Sequence, residues 1–257
     1  MKHVLICLSV LAASAASAFR PSGVPLVQVD PFFSVWSQTG CLTETPTTHW
    51  SGAKQPMSAV LSVDGEPFRL VGVQPQEARA LPQTGIRVTP LQTICSFENG
   101  TVRATLTFSQ PMLADDLDLF SRPVTYVTLR AVAKDGRPHG FQFRYGMDGA
   151  MVRNVDTYPV AATVSKVGGL AAVRIGRVEQ NPLAYVGDHA RCDWGYAWLA
   201  AGGDARAEAG ADSAALCFTA EGVVEMERHL LLAYEDLESV IFFNRRLKAW
   251  WARAGLP

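Results

Sequence analysis

The sequence predicts an all-β chain, an antiparallel β-sandwich with a short helix at its C-terminal end. Three observations carry this. Period-two alternation runs through most of the chain. Asn-Gly and Asp-Gly dipeptides recur between the alternating segments. The strand–helix alternation of a parallel sheet is missing.

The elements follow in order. Met57 to Val63 and Pro67 to Val73 flank Asp64-Gly65, a two-residue hairpin signal because both residue types tolerate positive φ. Ile86 to Phe97 reads as one long strand-like run, and Asn99-Gly100 turns it into Thr101 to Phe108. In that second strand Val102, Ala104, Leu106 and Phe108 share one face, and threonines with Arg103 occupy the other. Asp135-Gly136 joins Val124 to Ala133 with Phe141 to Tyr145. The apolar phase of the first of these changes near Tyr126-Val127, which predicts a bulge or a strand buried on both faces. Further strands are expected at Leu170 to Ile175, Tyr196 to Ala200, Ala214 to Phe218 and Val223 to Tyr234, with Gly202 to Gly210 as a surface loop. At the end, Val240, Phe243, Leu247, Trp250 and Trp251 recur at three- to four-residue steps among Arg245, Arg246, Lys248 and Arg253. That spacing predicts an amphipathic helix capped at Gly255.

Residues 1–18 read as a signal peptide: Lys2 and His3, an apolar run from Val4 to Ala13, and Ala16-Ser17-Ala18 before Phe19. The run is shorter than the roughly 20 residues a membrane helix needs. The mature chain is therefore expected to be exported, periplasmic or secreted. The formal charge of −1 gives no electrostatic case for nucleic acid or an anionic membrane. Cys41, Cys95, Cys192 and Cys217 remain in the mature chain. An oxidising compartment would allow three pairings among them, whereas the apolar runs around Cys95 and Cys217 favour small buried thiols. No C-x-x-C or metal-type histidine spacing occurs, so no metal and no cofactor is expected.

Motifs for chemistry are sparse. Ser51-Gly52-Ala53-Lys54 has the Ser-x-x-Lys spacing, but Gly52 and Pro56 discourage the helix such a pair requires. Asp115-Asp116-Leu117-Asp118 lacks the glycine and terminal glutamate of a calcium loop and reads as solvated. Acids and a histidine beside tryptophans are more informative: Asp30 with Trp36, His49 with Trp50, and Asp193 with Trp194. An aromatic face next to an acid suits a sugar or small polar ligand, and core aromatics under a satisfied turn give the same pattern. These six are the candidate ligand-binding residues.

Several segments together resemble the glutaminase A family of extracellular fungal glutaminases and their bacterial relatives. They are Pro25 to Ser37, His49-Trp50-Ser51-Gly52, Val63-Asp64-Gly65, Asp115 to Tyr126, Asp193-Trp194-Gly195-Tyr196, Ala233-Tyr234-Glu235-Asp236 and Leu247 to Trp251. The resemblance implies a supersandwich-like N-terminal domain over residues 19–235, with 236–257 leading to a helical-hairpin catalytic domain missing here. It implies an accessory or non-catalytic part, a fragment, of an amidohydrolase that converts L-glutamine to L-glutamate and ammonia. It carries no catalytic residue onto this chain. In such an amidase Asp193 would activate water or orient the substrate amine. The other reading is a standalone carbohydrate- or small-ligand-binding sandwich without chemistry, and a mainly structural docking domain is a third.

Overall fold

The structure, a computed structural model, describes residues 21–184 and 192–253. The leader expected over residues 1–18, the stretch from Gly187 to Arg191 and the cap expected at Gly255 lie outside the described residues.

In chain order the elements begin with β1 (Val24–Asp30), β2 (Phe33–Ser37), β3 (Thr48–His49), β4 (Met57–Val63), β5 (Glu66–Val71) and β6 (Arg79–Ala80). There follow β7 (Gln83–Val88), β8 (Gln92–Glu98), β9 (Val102–Ser109), a one-turn helix α1 (Leu117–Phe120), β10 (Val124–Ala133) and β11 (His139–Asp148). The second half adds β12 (Val160–Val167), β13 (Leu170–Arg177), β14 (Tyr196–Ala201), β15 (Arg206–Ala209), β16 (Ser213–Val223) and β17 (Glu225–Glu235). It closes with β18 (Val240–Phe242), β19 (Arg245–Leu247) and a 3-10 turn at Trp250–Ala252.

The result is a sandwich. One sheet has eight strands in the order β12-β13-β14-β17-β10-β9-β8-β7, the other six in the order β15-β16-β11-β4-β5-β6. Pairing is antiparallel except between β5 and the short β6. Each strand alternates because its inner face must leave water. Met57, Ala59, Leu61 and Val63 of β4 and Phe141, Phe143, Tyr145 and Met147 of β11 point into the core from the six-stranded sheet. Val102, Ala104, Leu106 and Phe108 of β9 and Leu230, Leu232 and Tyr234 of β17 come from the other. The small sheet β1-β2-β3 packs against β8, β10 and β17.

Five expectations are corrected. β10 is neither bulged nor buried on both faces: its register to β9 and β17 is unbroken, and Thr125, Val127, Leu129, Ala131 and Ala133 are buried while Tyr126 and Arg130 are exposed, so a buried threonine takes one of the inward positions. Ile86 to Phe97 is two strands, β7 and β8, turned at Thr89, whose hydroxyl accepts from the Gln92 amide at 3.0 Å. The Asn99-Gly100 turn uses no positive φ; the Asn99 carboxamide accepts from the amides of Thr101 and Val102 at 2.8 and 2.9 Å instead. Part of the expected loop Gly202 to Gly210 is the edge strand β15. The amphipathic helix is absent. Residues 240–247 form the hairpin β18–β19, and only the 3-10 turn at Trp250–Ala252 is helical. Apolar residues spaced three and four apart satisfy a helix pattern equally well when they flank a tight turn.

Candidate functional site

The turn between β1 and β2, Asp30 to Phe33, is where two distant segments converge. The Asp30 carboxylate accepts the Phe32 amide at 2.8 Å, which shapes the turn. The carbonyl of Pro31 bonds His49 Nε2 at 2.8 Å, and that of Phe32 accepts from Gln55 Nε2 at 2.8 Å and from the Cys192 amide at 3.2 Å. The Phe32 ring meets Trp194 edge-on with centroids 5.2 Å apart, and Phe33 stacks on Tyr234 at 5.1 Å. Five of the six residues singled out in the sequence, Asp30, His49, Trp50, Asp193 and Trp194, therefore border one region. Trp36 does not. Its indole donates to Ser34 Oγ at 3.0 Å, and Ser34 Oγ donates to Gln28 Oε1 at 2.8 Å, a separate polar chain on the opposite face of β2.

Their chemistry differs. His49 is buried, and both ring nitrogens are occupied. Nδ1 accepts from the Ser51 amide at 3.3 Å and lies 2.8 Å from the Ser51 hydroxyl, so Nε2 carries the proton given to Pro31. Burial lowers its pKa, which keeps it neutral. Trp50 stands 55 % exposed beside it, with ring centroids 5.2 Å apart. Asp193 is committed as well. Its Oδ2 pairs with Arg177 at 2.8 Å and its Oδ1 accepts the Asn154 amide at 2.8 Å. Arg177 also reaches the Asp193 carbonyl at 3.0 Å and lies over the Tyr158 ring. Such a carboxylate positions a loop, with one oxygen on the Arg177 guanidinium and the other on the Asn154 amide. Trp194 is buried, its carbonyl accepts from Tyr234 Oη at 2.8 Å, and its indole N–H has no partner among the described residues.

Asp30 is a half-buried carboxylate that holds its proton more tightly than usual. Burial pushes its pKa up to about 6, and the nearby carboxylate of Asp236 adds to the rise. Burial raises Asp236 too, while a bond from Ser239 opposes it. Cys192 is fully buried between these acids and Tyr234, and burial holds its thiol far above the usual range, so it is no nucleophile. Cys41, Cys95 and Cys217 are free thiols as well. Among the described residues no group of His, Cys, Asp and Glu is arranged to hold a metal ion.

Gly195 explains the shape of the loop after Trp194. Its φ is +75°, and a Cβ there would stand 2.1 Å from the Glu235 carbonyl, so only glycine lets β14 start this close to β17. Sequence reasoning missed Gln55, Arg177 and Asp236 as members of this region. Asp236 lies within a resembling segment; Gln55 and Arg177 carry no local signal, since their partners are 23 and 16 residues away.

Comparison with known proteins adds the following. Residues 4–82 match a family described as a domain of unknown function, DUF4964. Glutaminase A of Aspergillus oryzae is 28 % identical over 158 residues, which are 55 % of this chain and 23 % of the relative. A solved structure of a candidate kojibiose phosphorylase from the human microbiome superposes with a TM-score of 0.43 at 9 % identity, over 70 % of this chain and 22 % of its own. The chain thus spans under a quarter of the length of either relative. A further family match covers residues 91–227, from the turn before β8 into β17 and more than half of the chain, and by it the chain belongs to the family described as a domain of unknown function, DUF5127.

Proposed function

We propose that this chain is the accessory N-terminal β-sandwich of an exported glutaminase A-like amidohydrolase, one that releases ammonia from L-glutamine in the whole enzyme. The observation that carries the reading is the 28 % identity to Glutaminase A over 158 residues. The site geometry supports an accessory role. His49 and Asp193 are spent on holding the turn and the Trp194 loop, so the region offers a shaped rim rather than a complete set of reacting groups. Asp30, with its raised pKa, and exposed Trp50 are the groups that would face a substrate held by a neighbouring helical-hairpin domain.

The exposed apolar hairpin also favours this reading over a standalone binding module. Val240, Ile241 and Phe242 are 47, 50 and 57 % exposed and Phe243 is 86 % exposed, a surface that asks for a covering neighbour. The test is ammonia release from L-glutamine by residues 19–257 alone and by the same sequence joined to a helical-hairpin domain. The expected result is turnover only in the joined protein. Turnover by the sandwich alone, or none in the joined and folded protein, would overturn the proposal.

A further inference from the structure

A groove of about 610 Å³ opens on the outer face of the six-stranded sheet, and none of its lining residues belongs to the region around Asp30. Register builds it. Arg144 of β11 lies beside Cys217 of β16, which lies beside Arg206 of β15, so two guanidinium groups share one row. Glu208, two residues along β15, stands between them: Oε2 is 3.5 Å from Arg144 Nε and Oε1 is 3.1 Å from an Arg206 guanidinium nitrogen. The charges therefore read plus, minus, plus.

The rows on either side complete the groove. One holds Ser62, Gln142 and Thr219, whose side chains make no hydrogen bond to another described residue. The other holds Ser58 and Gly146. A Cβ on Gly146 would sit 2.9 Å from Ser58 Oγ and 3.1 Å from the Arg144 guanidinium, so glycine leaves the floor open beneath the cation. Cys217 adds no charge, because burial and then the Glu208 carboxylate raise its pKa.

This pattern selects among ligand chemistries. A simple anion would be drawn to the arginines and repelled by Glu208. A neutral sugar would find no aromatic face, since Phe143 and Phe218 turn inward and are each 1 % exposed. A molecule carrying both a carboxylate and an ammonium satisfies the whole set. We infer that the groove binds a zwitterionic α-amino compound, a free amino acid or a short peptide, with its carboxylate on Arg144 and Arg206 and its ammonium on Glu208. The neutral row then receives an amide or polar side chain.

This site stands apart from the amidohydrolase reading, because its readout is binding to the sandwich itself rather than ammonia release. The experiment is calorimetric titration of the folded chain at low salt with L-glutamine, L-glutamate, triglycine and maltose. Saturable binding of at least one amino compound and none of maltose is expected; tighter binding of the free amino acids or of triglycine identifies which source the groove serves. Arg206→Ala, on a side chain 77 % exposed and so harmless to folding, should weaken binding about fivefold or more, as loss of a charge-assisted bond requires. Glu208→Gln should weaken it similarly. Absence of saturable binding by all three amino compounds, equal binding of maltose, or unchanged affinity in Arg206→Ala would overturn the inference.

Discussion

Two hairpins in this molecule turn in the same way and meet opposite fates. Asp64-Gly65 has φ values of 50° and 83°, and Phe243-Asn244 has 45° and 60°, so both are two-residue turns with left-handed backbone. The first joins β4 to β5. Alternate residues of both strands are buried, and the Asp64 carboxylate accepts the Gly140 amide at 2.8 Å and meets His139 Nδ1 at 2.6 Å. The second joins two three-residue strands in which every residue is exposed. It is held from its base by polar contacts: the Ser239 amide to the Leu247 carbonyl at 2.8 Å, and Arg246 to Glu238 at 2.7 Å and to the Pro182 carbonyl at 3.0 Å. Below it Trp250 and Arg253 both donate to Asp118 of α1, at 3.0 and 2.7 Å. A turn sets the path of a chain; burial decides what that path contributes to stability.

The sharpest way to break the contrast is a matched pair of truncations. Leu61→Ala, at a fully buried position of β4, should cost about 2–5 kcal/mol in urea unfolding, whereas Ile241→Ala in β18 should change stability by less than about 0.5 kcal/mol. Equal losses would mean that the second hairpin is part of the core after all.

The half-buried acid of the β1–β2 turn gives the next effect. With Asp30 raised from 3.8 to about 6, the folded protein holds a proton between those values that the unfolded chain has released. Its contribution therefore improves as pH falls from 7 through 6 and levels off near 4. Asp30→Asn should flatten that part of the stability–pH curve, and an unchanged slope would remove Asp30 as its source.

Exchange of turn residues comes third. Gly65→Ala places a Cβ at φ +83° and should cost about 1 kcal/mol in the same urea experiment. Phe243→Gly relieves the same strain and should slow amide exchange in β18 and β19 by the equivalent of about 1 kcal/mol, with no change elsewhere.

The smallest effect is electrostatic. Hydrogen bonds donated by His139 to Asp64 and then to Asp135 raise the pKa of His139, and the His139 bond lowers that of Asp64. The pair supports the first hairpin between the ordinary carboxylate and imidazole values. It is lost as pH falls through the lowered Asp64 value and as pH rises through the raised His139 value. Asp64→Asn should leave the His139 resonances titrating at a lower pH in NMR.

The two hairpins also show how far local sequence pattern reaches. The bounds of Met57 to Val63 and Val124 to Ala133 are readable to the residue, because one buried face imposes alternation. Val240, Phe243, Leu247 and Trp250 mislead for the converse reason: with no buried face there is no alternation to read, and their spacing fits a helix. Phe243 in a left-handed position is a turn residue that no propensity would choose. Within the candidate region, acids beside aromatics point to Asp30, His49, Trp50, Asp193 and Trp194. Trp36 fits the same pattern and sits elsewhere, because β2 presents it on the other face from Phe33. Arg177 is invisible to such a pattern, since its role exists only once β13 and the Trp194 loop are neighbours.

The exposed pair Phe242-Phe243 has one more consequence. Two adjacent aromatic side chains at the tip of an uncovered turn offer a chymotrypsin-like protease its preferred bond where the backbone is reachable. A single cut there would sever the chain beyond β18 and leave both large sheets whole. Digestion time would then report occupancy directly: rapid nicking for the bare sandwich, and resistance once a neighbour lies over the hairpin.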